Sequence, residues 1–438
     1  MKHSKEELKK IACAAIDQNR DAIIALGDSI LVEPELGYKE FKTADKVKKL
    51  FEQLGYPYRS EVAITGVVAE RKGKESKMKV AIMGELDAVI VRDHPYVCEE
   101  TGAAHACGHN CMIASLAGVA YALKGTGIME ELSGDIVLMA VPAEEYVELG
   151  YRNSLREAGK IHFLGGKQEF IRLGEFDGID AMIMQHTTST TGKVKALTRN
   201  FSNGFTGKLV RYIGKEAHSG GAPHMGINAL NAAQIGLMAV HAQRETFKDE
   251  DHIRVHPIIT KGGDLVNVVP ADVRIETYVR GSNVPAILDA SFKVNRAFKA
   301  GGDAVGAQTV ITELPGYLPS CFDEKLTDVM HANLVALLGE EAVLREGPSG
   351  GGSTDASDVA HLIPTQHIYM GGSVGGAHSK EFMIADKELA YINAAKALIC
   401  TAIDMLADGA ELGLDIKNNF KAPMTKEEYL TKWGHLNS

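Results

Sequence analysis

The chain lacks a cysteine framework, a dense basic run and an apolar leader, and each absence excludes a class of protein. Its six cysteines, Cys13, Cys98, Cys107, Cys111, Cys321 and Cys400, are scattered without disulfide spacing, which fits a reducing compartment where thiols stay free. A net charge of −10 argues against a nucleic-acid or anionic-membrane surface. The segment Met1–Glu7 leads into an amphipathic pattern with no apolar core of its own, so no signal peptide is expected. No apolar stretch reads as approaching the roughly 20 residues of a membrane span. Together these readings give the expectation of a cytoplasmic protein with neither nucleic-acid nor membrane partners. What is present is the composition of an ordinary soluble globule, 45% hydrophobic and 24% charged. At 438 residues the chain exceeds one core, so two domains are expected.

Segments of helical and strand period alternate along the first part. Residues 5–31 read as one helix, broken at Pro34-Glu35-Leu36-Gly37, and Thr43 to Leu54 as a second, closed by Gly55. Val67 to Glu70, Met78 to Gly84, Gly134 to Val141 and Ala181 to Met184 read as strands, with an apolar helix from Ile113 to Leu123. This predicts an α/β catalytic domain: a mixed, mostly parallel sheet flanked by helices. Near residue 200 the pattern changes. Phe205 to Ile213, Ile253 to Ile259, Ala271 to Arg280 and Gln308 to Leu314 alternate as strands, around helices at Asn228 to Gln243 and Val284 to Ala300. Four antiparallel strands and two helices describe a compact α+β lid. The expected division is residues 1–202 and 318–438 for the catalytic domain, with 203–317 inserted as the lid.

Candidate chemistry gathers at the strand ends. Cys107 and His109 lie in His105-Ala106-Cys107-Gly108-His109-Asn110; Glu144-Glu145 follow an apolar strand; His186 follows another; His378 sits in a Gly-rich turn. One soft sulfur, three imidazoles and a carboxylate suit a borderline divalent ion such as zinc or manganese. Taken singly each has a plainer reading. A Cys-x-His is more often packing, and a Glu-Glu pair is more often a solvated surface pair. The convergence at strand ends, where open α/β sheets place their ligands, favours the metal. Adjacent glutamates beside an ion can divide the work, one as ligand and one as the base for an ion-activated water. Asp87, closing Gly84-Glu85-Leu86-Asp87, reads as a carboxylate that orients a ligand, or as a strand-end turn residue. Cys107 as a nucleophile is a further reading, and it requires a histidine base oriented by a third group.

Five motifs in order carry a resemblance: Pro34-Glu35-Leu36-Gly37 with Glu40, Gly84-Glu85-Leu86-Asp87-Ala88, the Cys107–His109 run, Pro142-Ala143-Glu144-Glu145 and Ala217-His218-Ser219-Gly220. From about residue 20 to residue 400 the chain resembles the amidohydrolase branch of the aminoacylase–carboxypeptidase metallopeptidases. That branch includes hippurate, indole-acetyl-amino-acid and p-aminobenzoyl-glutamate hydrolases. The resemblance implies Cys107, His109, Glu145, His186 and His378 as ligands of two metal ions per subunit, and Glu144 as general acid/base. It implies His218, on the lid, as the group that polarises the scissile carbonyl, often in the partner subunit of a homodimer paired through the lids. Asn267 and Arg280 match residues that hold a substrate carboxylate. The loop Gly350-Gly351-Gly352-Ser353-Thr354-Asp355, with Ser353 and Thr354, matches a substrate-binding turn, and Asp358 matches p-aminobenzoyl-glutamate hydrolase-like members.

The implied activity is hydrolysis of an amide bond in an N-acyl or N-aroyl amino acid, or a short peptide, with a free carboxylate. A dipeptidase or carboxypeptidase using the same site is the alternative, and a catalytically silent binding protein of the same fold is the alternative of another class. The sequence also departs from the branch. Asn110 stands where Asp is frequent, and Cys111-Met112 where Gly-His is frequent. Residues 146–180 separate Glu145 from His186 by more chain than usual, and Glu85 replaces a histidine that ligates metal in the carboxypeptidase relatives.

Overall fold

In a computed structural model describing residues 2–347 and 351–436, the chain builds a nine-stranded mixed sheet flanked by helices and a separate five-stranded antiparallel sheet. From edge to edge the large sheet runs Tyr58–Val62, Gly66–Arg71, Asp135–Val141, Lys79–Glu85, Ala181–Ser189, Thr365–Val374, Ala196–Arg199 and Val343–Glu346, with Met383–Ile384 paired to Thr365–Val374. The centre is parallel. Lys79–Glu85 lies between Asp135–Val141 and Ala181–Ser189, and the last of these pairs with Thr365–Val374 so that Tyr369 stands opposite His186. Glu85, Val141 and His186 therefore sit towards the carboxyl ends of adjacent parallel strands, where such sheets bind ligands.

The antiparallel sheet comes from the chain between Gly204 and Leu314, in the order Arg254–Val255, Asp272–Gly281, Gly204–Ile213, Gln308–Leu314, with Ile258–Lys261 also on Asp272–Gly281. Helices Ala229–Ala242 and Val284–Asp303 cover it, and Val210, Tyr212, Val273, Val294 and Phe298 form its core. The single strand expected over Ile253 to Ile259 is two. His256-Pro257 separates them, and proline has no N–H to give the ladder. The helix expected over residues 5–31 is likewise two, Lys5–Gln18 and Arg20–Leu31. At the break the Asn19 amide donates to the Ala15 carbonyl at 2.8 Å, a side chain competing with the helical ladder.

One run escaped the sequence reading. Glu388–Leu406 is by length and composition apolar enough to cross a membrane, with 89% of its most apolar window buried inside the protein. It opens with a wider π-type turn, Glu388–Asn393, and continues as an α-helix to Leu406. A helix apolar on all sides belongs in a core, and this one packs among Lys5–Gln18, His109–Leu123, Glu324–Leu338 and Glu411–Asn419.

Helix His109–Leu123 is almost wholly buried, and its entry is set by Gly108 at φ 89°. A Cβ there would lie 2.2 Å from the Thr187 Cγ2, so the turn joining Cys107 to His109 admits only glycine. Gly108→Ala is expected to cost about 1–3 kcal/mol from backbone strain alone. Chemical denaturation of the purified variant checks this; an unchanged unfolding midpoint would contradict it.

Candidate metal-binding active site

Five carboxyl groups close over the carboxyl ends of the central strands. Glu85, Asp87, Glu144, Glu145 and Asp355 are all buried, and among the described residues Lys167 is the buried ammonium paired with two of them. Buried charge of one sign has to be paired or bound to a cation.

The turn that carries the two glutamates is held from behind. Ala143 has φ 56°, in the left-handed region. Its N–H donates to Glu40 Oε1 at 2.8 Å, and its carbonyl accepts from the fully buried guanidinium of Arg152 at 3.3 Å. The Glu145 N–H donates to Asp87 Oδ2 at 2.9 Å. Asp87 also meets the other side of the site: His109 Nδ1 is 2.9 Å from its carbonyl and 3.3 Å from Oδ1. A carboxylate on one imidazole nitrogen leaves the other directed at an ion.

The donors converge on the sulfur. Cys107 Sγ is 3.2 Å from His186 Nε2, and His378 Nε2 is 3.0 Å from Glu145 Oε1. Three donor groups form, Cys107–His109–His186, Cys107–Glu145–His378 and Glu85–His109–Glu144, each with its ligand atoms within 4.8 Å of one another. Cys107 belongs to the first two, so its sulfur is a donor common to both groups. Glu85 Oε2, Asp87 Oδ1 and His109 Nε2 are buried without a hydrogen-bond partner, the condition of atoms that await a cation. His378 itself has φ 60° and is fixed by its N–H to the Ala106 carbonyl at 2.8 Å. The donor chemistry and these orphaned atoms fit a pair of divalent ions.

Electrostatics divides the roles. Burial and Glu145 push the Cys107 thiol up, but His186 and His109 outweigh them and bring it down to about 6. Burial opposes ionisation of Glu145, yet the adjacent His378 holds it at about 2. Hydrogen bonding to Cys107 and Glu145 lifts His378 to about 11. Glu144 goes the other way: burial, then Glu85 and Glu145, raise it well above the carboxylate range. One member of the pair is held as an anion and its neighbour has a raised proton affinity, the separation that acid–base work needs.

In front of the donors lies a cavity of about 440 Å³. Cys107, Glu144, Glu145, His186 and His378 line one side; Arg280, Ser353 and Thr354 line another, with Tyr278, Phe205 and Tyr369. Arg280 donates to Ser353 Oγ at 2.7 Å, linking the antiparallel sheet to the loop at 351–355. Gly350 of that loop lies outside the described residues.

Two sequence-predicted residues are not brought in. His218 and Asn267 are exposed and do not line the cavity. They sit on neighbouring loops, where His218 Nδ1 accepts from the Gly220 and Gly221 N–H groups at 3.2 and 2.9 Å, and Ser219 N–H donates to the Asn267 carbonyl at 3.0 Å. Asp358 faces away as well, fully buried beneath Tyr429 Oη at 2.7 Å and Gln168 Nε2 at 3.0 Å. Sequence reasoning missed Arg152, Lys167 and the place of Asp355. Its signal was the unexplained length of 146–180, which supplies the first two.

A site of thiol, imidazole and carboxylate donors facing an arginine across a cavity, on an α/β sheet with an antiparallel companion, is the kind of site a metal-dependent hydrolase carries. Residues 81–403 match the model of peptidase family M20/M25/M40, and the chain belongs to that family. It is a hydrolase acting on amide bonds, in a family of metal-dependent amidohydrolases and peptidases. Among its relatives, the Xaa-Arg dipeptidase of Mus musculus is 27% identical, with 97% of this chain and 95% of that protein covered. The N-acetyl-L-cysteine deacetylase of Bacillus subtilis is 27% identical over 84% of this chain and 83% of its own length. The fold is shared with a dinuclear metal-binding M20 peptidase of Bacillus subtilis, at TM-score 0.65 and 21% identity, covering 89% of this chain and 99% of that one.

Arg280 presents a planar, two-pronged donor that lysine cannot copy. Arg280→Lys is expected to raise KM for a carboxylate-bearing substrate about tenfold or more with a smaller change in kcat. Steady-state kinetics over a range of substrate concentrations checks it.

Proposed function

We propose that this protein hydrolyses the amide bond of an N-acyl amino acid or dipeptide whose amine-side residue keeps a free carboxylate. The observation that carries the reading is the convergence of Cys107, His109, Glu145, His186 and His378 beside Glu144, with Arg280 facing them across the cavity. A divalent ion held there, zinc or manganese, would polarise the scissile carbonyl and lower the pKa of a water from about 15.7 towards 7.

The chain's own residues do the rest. Arg280, with Ser353 and Thr354, holds the substrate carboxylate and so sets the amide over the donor cluster. Glu144 takes the proton of the attacking water and passes it to the leaving nitrogen, which needs a carboxyl whose proton affinity is raised, as burial raises this one. Asp87 fixes the ring of His109. His218 and Asn267 lie exposed and away from their own cavity, so the reading has them serve a second copy of the chain in a homodimer paired through the lid, residues 203–317. Exposed apolar side chains on the two lid helices, Ile235 and Met238 on one, Leu288 and Phe292 on the other, support that pairing. The cytoplasm, where Cys107 stays reduced, is the compartment that suits this site.

The reading of Cys107 as a nucleophile has some support of its own, since the Cys107–His186 contact resembles a thiolate–imidazole pair. The metal reading is favoured because Glu145 and His378 close on the same sulfur, which a nucleophile does not need.

Glu144→Ala is expected to fold, to keep its metal and to lose about 10²–10⁴ in kcat. The test is a panel of N-acyl amino acids and dipeptides offered to metal-reconstituted protein; full activity in the variant would remove the mechanism. Chelation should abolish turnover and added metal restore it, whereas alkylation of metal-loaded enzyme should leave it intact. The opposite pattern would favour the nucleophile.

A further inference from the structure

Resting on the metal-dependent reading above, we propose that Glu85 is a further donor to the metal cluster and that Lys167, held by Asp355, is the positioning residue that aims it. Lys167 opens helix Gly166–Leu173 and is fully buried. Its ammonium meets Asp355 Oδ1 at 2.5 Å, and its backbone N–H donates to Asp355 Oδ2 at 2.9 Å. Asp355 thus spends both oxygens on Lys167, and the two form a pair of zero net charge. The same ammonium contacts Glu85 Oε1. Two carboxylates on one ammonium leave one negative charge over, in a place closed to water.

That surplus charge points at the site. Glu85 Oε2 is buried without a hydrogen-bond partner, 3.0 Å from His109 Nε2. It falls in one donor group with His109 and Glu144, with all three ligand atoms within 4.8 Å. His109 Nδ1 is taken by Asp87, so Nε2 is the nitrogen left for an ion, and Glu85 Oε2 faces the same space. His109 Nε2 and Glu85 Oε2 would hold an ion there, and its charge would offset the one that Lys167 leaves over.

The direction of Lys167 is not free. A Cβ on Gly166 would lie 1.7 Å from the Pro142 carbonyl oxygen, so the start of the helix is wedged against the turn carrying Glu144 and Glu145. The segment 146–180 therefore delivers its lysine to a fixed point behind the cluster. A bare structural ion pair would need neither the second carboxylate nor its unpartnered oxygen.

The test is calorimetric titration of Mn²⁺ and of Zn²⁺ into full-length protein stripped with chelator, with folding followed by circular dichroism. Glu85→Gln keeps the shape and leaves the Lys167–Asp355 pair intact. It should stay folded and bind one ion at least tenfold more weakly, the rest of the isotherm unchanged. Lys167→Met should weaken the same ion. If that variant unfolds, Lys167→Met with Asp355→Asn removes both charges of the pair together and reads the same quantity. Wild-type affinities in Glu85→Gln would overturn the donor assignment, and wild-type affinities in the folded lysine variant would overturn the positioning role. A parent protein that binds neither ion would instead sink the metal-dependent reading on which this one stands.

Discussion

The structure turns on an excess of buried negative donors at the carboxyl ends of the central parallel strands. A folded core excludes water, and an anion without water or a partner is among the costliest things a protein can bury. Here Glu85, Asp87, Glu144, Glu145 and Asp355 are buried beside a thiol drawn towards its anionic form, with Lys167 as the paired ammonium. Divalent cations bound there would offset that imbalance and would supply the chemistry that amide hydrolysis needs. Stability and function therefore make one demand on these side chains. That is why their supports are so extensive.

Those supports come largely from the stretch between Glu145 and His186. Arg152 and Glu40 grip the carbonyl and N–H of Ala143, whose left-handed backbone turns the two glutamates into the site. Gly166 abuts Pro142, and Lys167 ties Glu85 to Asp355. The buried Lys167 is fixed by two carboxylates, and the buried Arg152 by the carbonyls of Ala143 and Leu164. Adjacent residues, Glu144 and Glu145, end with proton affinities shifted in opposite directions, since Glu145 faces His378 and Glu144 faces carboxylates. Environment, not residue type, separates the two carboxyls.

The antiparallel unit contributes differently. Arg280 leaves the strand Asp272–Gly281 to meet Ser353 from the other lobe, so this side of the cavity is assembled only when both lobes are present. His218 and Asn267 lie on exposed loops of the same unit. A cavity built from two lobes can change its width with their separation, which suits a substrate that must enter and a product that must leave.

Much of this was legible in the chain. Apolar runs ending in acidic or histidine-bearing turns gave the parallel sheet and the donors at its ends, because strand period and ligand type are local properties. The break at Asn19 and the interruption at Pro257 are local too, but they rest on a side-chain bond and a missing N–H that periodicity does not weigh. The core helix Glu388–Leu406 was overlooked for a related reason: tyrosine, lysine and asparagine interrupt its apolar run, while its burial depends on four neighbouring helices. Lys167 and Arg152 had no legible role. A lysine in a Gly-Gly-Lys turn is usually solvated, and only the packing of Pro142 and Asp355 around it closes off the water. The sequence by itself determined which donors exist and which strand each follows. The tertiary structure alone decided which of them meet, which carboxyl has its proton affinity raised and which charges lie beyond the reach of solvent, because charge interactions follow distance and burial through space rather than order along the chain.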